Sequence, residues 1–483
     1  MFDGQNYIDG TWKPAPNGHS FEQRNPADLR IITGTFADSS PAEAKEAITA
    51  AQAAFPAWRA LSPQARKNYL LEALQQIIQR RDEIAAIITL ENGKSLREAK
   101  TETDSAIKEM DYQIAEGIRM CGQTVPVEAD GTLAYSTRQA RGAVGIITPW
   151  NFPFNVPCRK CTPALMAGNT VVFKPASLTP RTGLLFTELL SEAGLPAGVI
   201  NCVTGSGRNV GSVIVEDPRI KAISFTGSTP VGKSIQLQAA RNLTPTQLEM
   251  GGKNPAIVLA DADLDVAVEE IVKAAFACSG QWCTSTSRVI VVEEIAAAFT
   301  QKLVNRVGAI CVRDGKAADC GMGPVCGANQ KSDILAYIEQ GKKEGARILV
   351  GGEAIEGDDY RNGCFIAPTV FDQVSADMTI AKEEIFGPVL VVIAVDTFDH
   401  AVEIANDVPY GLSSSIFTND LKHALSYMER SEVGLAHVNL MSALKEPQLP
   451  FGGVKESGAG LPEAGTSGIE FFTEHKVCYV RYR

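Results

Sequence analysis

From about Ala143 the chain alternates short β-branched, apolar runs with amphipathic stretches. AVGIIT is followed by NTVVFKP, the helix-periodic SLTPRTGLLFTELLSEAG, VINCV, KAISF and a second helical segment. Runs that switch between near-continuous apolar character and a 3.6-residue period predict βαβ units. Such units form a parallel sheet covered by helices, with ligands at the C-terminal strand ends. Before this region, from about Pro41 to Met120, AKEAITAAQAAFPAW and SPQARKNYLLEALQQIIQRRDEIAAIITLENGK predict long helices that pack on the sheet. A second βα series opens near Pro255 with AIVL, passes through DLDVAVEEIVKAAFA and SRVIVVEE, and runs to about Leu449 as a second lobe. GTLAYSTRQARGA alternates like an exposed hairpin and HKVCYVRY like an edge strand. Long unpaired edges invite another chain, so a homo-oligomer is expected, with pairing inside the chain as the alternative.

Length adds that 483 residues exceed one ordinary core, so two large lobes are expected. At 45% hydrophobic and 21% charged, the composition is that of a globular protein. A net charge of -11 opposes nucleic acid or an anionic membrane as partner, since both select a basic face. No apolar run is long enough to span a bilayer, and MFDGQNYIDGTWKP lacks the basic-then-apolar form of a leader, so the expected location is cytoplasmic. The 11 cysteines are scattered, as suits a reducing compartment. Cys158 and Cys161 form an isolated CxxC, and the 5 histidines lie far apart, so no metal site is expected.

Four places carry candidate chemistry. Cys283, in FACSGQWCTSTSRVIVV, follows a helical run and precedes a strand, where a turn can present a nucleophile; a buried cysteine of no function is the alternative. Glu249 ends the strand-like TQLEM before Gly251 and Gly252, so its carboxylate is either a general base at a strand terminus or a solvated surface charge. Asn151, in ITPWNFPF, has an amide that could donate to a developing oxyanion or cap a turn. SFTGSTPVGKS follows a strand and opens a helix whose N-terminus suits a pyrophosphate, although it is neither G-x-G-x-x-G nor a P-loop.

TPWNFP, VVFKPA, FTGSTPVG, LEMGGKNP, SGQWC, EEIFGP and PFGGVKESG occur in the order and spacing of the aldehyde dehydrogenase superfamily, which the chain resembles over nearly its whole length. The resemblance implies an α/β aldehyde dehydrogenase-like fold. Residues 1–122 and 142–250 would form a Rossmann-like cofactor domain, 251–449 an α/β catalytic domain, and 123–141 with 463–483 a small oligomerisation β-extension. It implies Cys283 as nucleophile, Glu249 as the base that activates water, and Asn151 with the Cys283 N–H as oxyanion donors. A thiolate is expected there, favoured by a nearby cation or helix dipole, and burial is expected to raise the Glu249 pKa. For the cofactor it implies Lys174 on the adenosine ribose, Ser228 on the pyrophosphate, and Glu384 and Phe386 on the nicotinamide ribose and ring. Thr148, Pro149, Trp150, Ser177, Gly207, Phe225, Thr226, Gly227, Val231, Gly251 and Glu249 itself complete the implied cofactor set. The glutamate is generally absent from the superfamily's coenzyme A-using members, so its presence favours release of a free acid.

NAD-preferring relatives often carry glutamate three positions after the lysine of the KPA segment; here it is Ser177, which favours NADP or dual use over NAD alone. Arg159 lies where semialdehyde-oxidising relatives place an arginine over a substrate carboxylate; a salt-bridged arginine on a helix surface is the alternative. Ala277 replaces a second arginine of succinate semialdehyde dehydrogenases, whereas IANDVPYGLSSSIFT and HVNLMSALKEPQLPFGG look like the 2-oxoglutarate semialdehyde (2,5-dioxopentanoate) dehydrogenases. Phe152, Phe154, Trp282, Thr284 and the segment from Leu440 to Leu449 are expected to meet the substrate. SGAGLPEAG departs from the Arg-Glu usual after the glycine, which leaves the part of Glu463 in a proton path open. The expected partners are a small aldehyde and further copies of the chain, as a homodimer or homotetramer. Succinate semialdehyde or broad aldehyde oxidation, a catalytically retired structural relative, and a thiol hydrolase pairing Cys283 with His437 are the competing readings.

Overall fold

Two parallel sheets dominate the computed structural model, which describes residues 2–14 and 18–483. Met1 and residues 15–17, within the range expected for the first domain, lie outside the described residues. The first sheet has eight strands, ordered Gly458–Ala459, Thr246–Glu249, Ile220–Thr226, Ala143–Ile147, Thr170–Lys174, Ile200–Cys202, Asn6–Ile8 and Thr11–Lys13. The five strands from Thr246–Glu249 to Ile200–Cys202 are mutually parallel and buried by helices on both faces, which is why they read as apolar runs with little alternation. The chain winds outward one way from Ala143–Ile147 and then returns to lay Ile220–Thr226 on its other side. At such a reversal the loops leaving adjacent strands diverge and open a crevice. Ile147 is in register with both Lys174 and Phe225, and Thr226 with Glu249, so four site-bearing segments leave the sheet at one edge.

The helices Pro41–Ala60, Pro63–Gln79, Arg81–Asn92 and Leu96–Glu116 occupy the expected early region. The first and last begin with reciprocal caps, Ser40 with Glu43 and Ser95 with Glu98, which satisfy backbone N–H groups that the helix leaves free. Five strands before residue 40, among them the hairpin of Ser20–Asn25 with Asp28–Ala37, had no reading in the sequence analysis.

The second sheet has seven strands, ordered Arg347–Val350, Thr369–Asp372, Val389–Val395, Thr286–Val292, Asn254–Val258, Ser413–Phe417 and Leu435–Val438, all parallel except the first. Its two faces carry separate apolar cores, one around Ile290 and Phe371 and the other around Val289 and Phe299. The two edge-like segments pair with each other: Thr473–Arg481 runs antiparallel to Thr132–Ala140 from Thr473 opposite Ala140 to Arg481 opposite Thr132. Thr473–Arg481 is still the outer strand of its three-stranded sheet, and Val477, Tyr479 and Val480 are exposed on it.

Candidate active site

A cavity of about 1440 Å³ lies between the two sheets, and Asn151, Phe152, Arg159, Trp282, Cys283, Glu384 and Phe386 are on its wall. Cys283 follows the helix Leu264–Phe276 and a tight turn in which Cys278 and Ser279 take left-handed φ of 52° and 58°. Non-glycine residues hold such backbone only when neighbours fix it. The Cys278 N–H donates to Glu98 Oε1 at 2.7 Å and the Ser279 hydroxyl to the Gly323 carbonyl at 2.8 Å. Asn254 Nδ2 donates to the carbonyls of both Cys283 and Ser285 at 2.8 Å, which sets the residue after the turn.

The thiol itself is not poised as a thiolate. Burial pushes the Cys283 pKa up to about 12; Arg159 pulls it down, and Glu384, Glu249 and Glu463 push it further up. The expected cation is present as Arg159, but desolvation outweighs it.

Asn151 sits beyond the strand Ala143–Ile147 with one amide N–H donated to the Gln281 carbonyl at 3.0 Å, which leaves the other for a ligand. Its backbone is pinned by residues the sequence reading missed. Lys94 Nζ donates at 2.6 Å to the Asn151 carbonyl and at 2.6 Å to Glu102 Oε2, and lies 4.1 Å from the Phe152 ring centroid. Glu102 Oε1 in turn accepts from the N–H groups of Phe154 and Asn155. ENGK and TETD carry no motif that marks them, because their role depends on two helix ends meeting a loop more than 40 positions downstream.

Glu249 ends its strand as expected but is not on the cavity wall. Its carboxylate packs so closely on Gly452 that a Cβ there would lie 2.8 Å from Oε1, and Oε2 has no hydrogen-bond partner. Burial first, then the charge of Glu463, holds its pKa well above the carboxylate range, against Lys160, Arg159 and the Gly453 N–H. Glu463 is held low: burial raises it, but Lys160 and Arg159 together outweigh that. Glu463 contacts Lys160 Nζ and accepts from the Thr226 hydroxyl at 2.9 Å. Arg159 Nε approaches Glu463 Oε2 to 2.7 Å, at an angle unsuited to a hydrogen bond, so that contact is ionic. Arg159 is therefore salt-bridged, yet buried on the cavity wall and stacked 4.6 Å from the Phe451 ring centroid, not on a helix surface.

Most of the residues expected around a dinucleotide follow the strand ends of the first sheet, while Glu384 and Phe386 come from the segment before Val389–Val395 of the second. Ser228 precedes the helix Thr229–Ala239, but its hydroxyl does not cap it, which leaves first-turn N–H groups for an anion. Lys174 Nζ is buried and donates only to the Pro175 carbonyl, at 3.2 Å, so two N–H groups remain; burial lowers its pKa to about 8. Thr148 N–H donates to the Lys174 carbonyl, joining two strand ends. Pro149, Trp150, Thr226, Gly227 and Gly251 line the cavity, with Trp150 edge-on to Phe386 at 5.4 Å. Glu384 Oε1 accepts from the Gly252 N–H at 3.1 Å, and burial raises its pKa to about 7. A side chain at Gly251 would collide with that carboxylate. Ser177, exposed, donates to the Gly205 carbonyl, and Gly207 opens the short helix that follows. Phe225 is buried behind Gly227, and Val231 is half exposed.

Two residues expected to meet the substrate do not line the cavity, and one segment lines it in part. Phe154 is fully buried against Phe186 in the first core, because its backbone N–H is drawn inward to Glu102. Thr284 is buried away from the cavity wall, with its carbonyl accepting from Ser442. Of the segment 440–449, Met441, Ala443, Leu444 and Lys445 line the cavity, while Leu440 and Leu449 are exposed elsewhere. His437 has both ring nitrogens at carbonyl oxygens, of Ser414 and Leu444, and does not line the cavity, which removes it as a base for Cys283. Cys158 and Cys161 are buried in the helix Asn155–Met166. No helix among the described residues is long and apolar enough to cross a membrane.

Residues 12–478 match the model of the aldehyde dehydrogenase family. The chain is 45% identical to an alpha-ketoglutaric semialdehyde dehydrogenase of Bacillus subtilis, covering 99% of this chain and 98% of that one. It is 40% identical to a 2,5-dioxopentanoate dehydrogenase of Saccharolobus solfataricus, covering 96% of each. Among solved structures, an NADP-dependent enzyme of E. coli superposes with a TM-score of 0.96 at 35% identity, covering 99% of this chain and 98% of that one. Betaine aldehyde dehydrogenase of Staphylococcus aureus in complex with NAD+ superposes with a TM-score of 0.97 at 33% identity, covering 100% of this chain and 95% of that one. With the fold, the cysteine on the cavity wall and the full-length match in agreement, the chain belongs to the aldehyde dehydrogenase family, oxidoreductases that act on the aldehyde group with a nicotinamide cofactor.

Proposed function

We propose that the chain oxidises 2-oxoglutarate semialdehyde to 2-oxoglutarate, with NADP or either nicotinamide dinucleotide as acceptor. The observation that carries this reading is Arg159, a permanent cation on the cavity wall it shares with Cys283, whose terminal nitrogens make no hydrogen bond among the described residues. A carboxylate offered to that fork gains two charge-assisted bonds. Both curated relatives described above bear the name of an enzyme for this aldehyde.

In this reading Cys283 Sγ attacks the aldehyde carbon, and the C–S bond forms as the carbonyl pair moves to oxygen. Asn151 Nδ2 and the Cys283 N–H stabilise that oxyanion, each contact typically worth about 3 kcal/mol in a water-poor site. Burial pushes the pKa of the resting thiol up to about 12, so Cys283 gives its proton to water in the cavity as the C–S bond forms, and Arg159 is the resident group that favours the anion. When bound, the nicotinamide supplies the hydride acceptor that converts the hemithioacetal to a thioester. Glu249, in its deprotonated form and turned out from Gly452, takes a proton from water; the water oxygen bonds to the thioester carbon, and collapse of that adduct breaks the C–S bond, releasing the acid and returning Cys283 Sγ as the thiolate. Lys174, the free helix N-terminus at Ser228 and Glu384 hold the dinucleotide, and Ser177 leaves room for a 2′-phosphate.

The outer strand Thr473–Arg481, unpaired on one side, supports assembly as a homodimer or homotetramer, and the dispersed cysteines support a cytoplasmic location. The test is formation of reduced cofactor with 2-oxoglutarate semialdehyde, succinate semialdehyde and an uncharged aldehyde of similar length. The first should give the highest kcat/KM, and Arg159→Ala should lose about a hundredfold on the two acids and far less on the neutral aldehyde. Equal loss on all three removes the carboxylate clamp. Absence of reduced cofactor with every aldehyde favours the retired relative.

A further inference from the structure

Arg159 is not the sole polar group on the substrate wall. One helical turn before it, Asn155 also lines the cavity. The two are i and i+4 on the helix Asn155–Met166 and so share a face. Asn155 is only 2% exposed, its backbone N–H is fixed by Glu102 Oε1, and its side-chain Nδ2 has no hydrogen-bond partner. A buried amide donor left unpaired costs about 1–3 kcal/mol, which a ligand oxygen would recover.

Across the cavity Lys445, from the loop after Leu435–Val438, is largely buried and ion-paired through Nζ to Glu109 Oε1. Glu109 is buried on Leu96–Glu116 and its Oε2 has no partner, so the pair rests on one contact and the ammonium keeps N–H groups to offer. Arg159, Lys160 and Lys445 are balanced by two carboxylates, Glu109 and Glu463. A substrate carboxylate would therefore meet two cations, Arg159 and Lys445, each held by a single acidic partner.

We propose that Asn155 and Lys445 form, with Arg159, a subsite for 2-oxo acids, in which Asn155 donates to the 2-oxo oxygen and Lys445 joins Arg159 on the adjacent carboxylate. The inference rests on the reading of the substrate as a carboxylated aldehyde. It adds that the site distinguishes a 2-oxo acid from a plain ω-aldehyde acid of the same length. A site built to hydrogen-bond a substrate group rejects the analogue that lacks it more strongly than an apolar pocket rejects a missing methylene.

The experiment compares 2-oxoglutarate semialdehyde with glutarate semialdehyde, which differs by a CH₂ in place of the carbonyl, and with pentanal, in the wild type and in Asn155→Leu and Lys445→Met. The wild type should favour the 2-oxo acid over glutarate semialdehyde by about ten- to hundredfold in kcat/KM. Asn155→Leu should bring that ratio close to one. Lys445→Met should lower kcat/KM on both acids by about tenfold, through KM, and leave most of the ratio in place. A wild type that does not separate the two acids, or an Asn155→Leu variant that keeps the wild-type ratio, overturns the subsite. So does a Lys445→Met variant with unchanged KM for both acids. A wild type that favours pentanal over both acids overturns the carboxylated-aldehyde reading beneath it. These failures are read from different pairs of substrates and so are distinguishable.

Discussion

Lys94 Nζ lies 2.6 Å from the carbonyl oxygen of Asn151 and 2.6 Å from Glu102 Oε2, fully buried. A lysine between two helices thus fixes the backbone of Asn151, which shares the cavity wall with Cys283. Breaking one side of a buried ion pair strands its partner at about 3–5 kcal/mol, whereas replacing both with neutral groups of similar volume is far milder. Lys94→Met is expected to lose stability in that range and kcat by about ten- to hundredfold. Lys94→Met with Glu102→Gln should recover most of the stability but not the kcat, because Asn151 is still unpinned. Urea denaturation beside steady-state rates checks this; recovery of both together would assign Lys94 to stability alone.

The pH dependence of acid release follows from Glu249. A base works deprotonated, and burial with the charge of Glu463 raises its pKa, so kcat should climb with pH through that raised value wherever thioester hydrolysis limits turnover. Glu463→Gln removes the repelling charge and leaves Arg159 and Lys160 less compensated. Both changes lower the Glu249 pKa, so the rising limb should move to lower pH. Glu249→Gln should slow hydrolysis by about 10²–10⁴ and accumulate acyl-enzyme, visible as a mass increase on Cys283 after a single turnover. A limb that stays in place in Glu463→Gln would dissociate Glu463 from the base.

The proposed NADP or dual use rests on one exposed position. Ser177 donates to the Gly205 carbonyl and presents no carboxylate beside the Lys174 segment. Ser177→Glu would place a negative charge where a 2′-phosphate must sit, while accepting a hydrogen bond from a 2′-hydroxyl. The NADP-to-NAD ratio of kcat/KM should fall at least about tenfold, through KM for NADP. An unchanged ratio would put the discriminating contact elsewhere.

The parallel strands could be read from sequence because both their faces are buried, so AVGII and TVVFK are almost wholly apolar. The early helices were legible as long stretches rich in Ala, Glu and Lys. Cys283, Glu249 and Asn151 each sit in a glycine- or proline-marked turn, but only the order and spacing of the family's motifs singles them out. Residues such as Lys94, Glu102, Asn155 and Asn254 do not, because their roles come from meetings between distant segments. Phe154 illustrates the converse: an aromatic beside a site motif reads as a wall residue, yet one hydrogen bond from its backbone to Glu102 turns it into the core. The thiol is a similar case: sequence suggests a cation or helix dipole near Cys283 without naming it, and both Arg159 and the desolvation that pushes the thiol up depend on how distant segments pack.

Lys253 gives a test of what the site costs the fold. It follows Gly251 and Gly252, is 1% exposed, and its Nζ has no hydrogen-bond partner. Burial lowers its pKa from 10.5 to about 7, aided by Arg288 and opposed by Glu384 and Glu383. Between those values the unfolded chain holds a proton that the folded chain has released, so stability rises with pH across this window. At pH 7 and below the penalty is on the order of 4 kcal/mol. Lys253→Met removes it, so the variant should be more stable than the wild type near neutrality, with the difference shrinking as pH rises towards 10.5. Lys174, whose pKa is lowered to about 8, contributes the same sign over a narrower window, but it is present in both proteins and cancels in the comparison. Urea denaturation of wild type and variant at about pH 6.5 and pH 9.5 reads the difference directly. A gain of equal size at both would mean that Lys253 is destabilising through its packing and not through its charge.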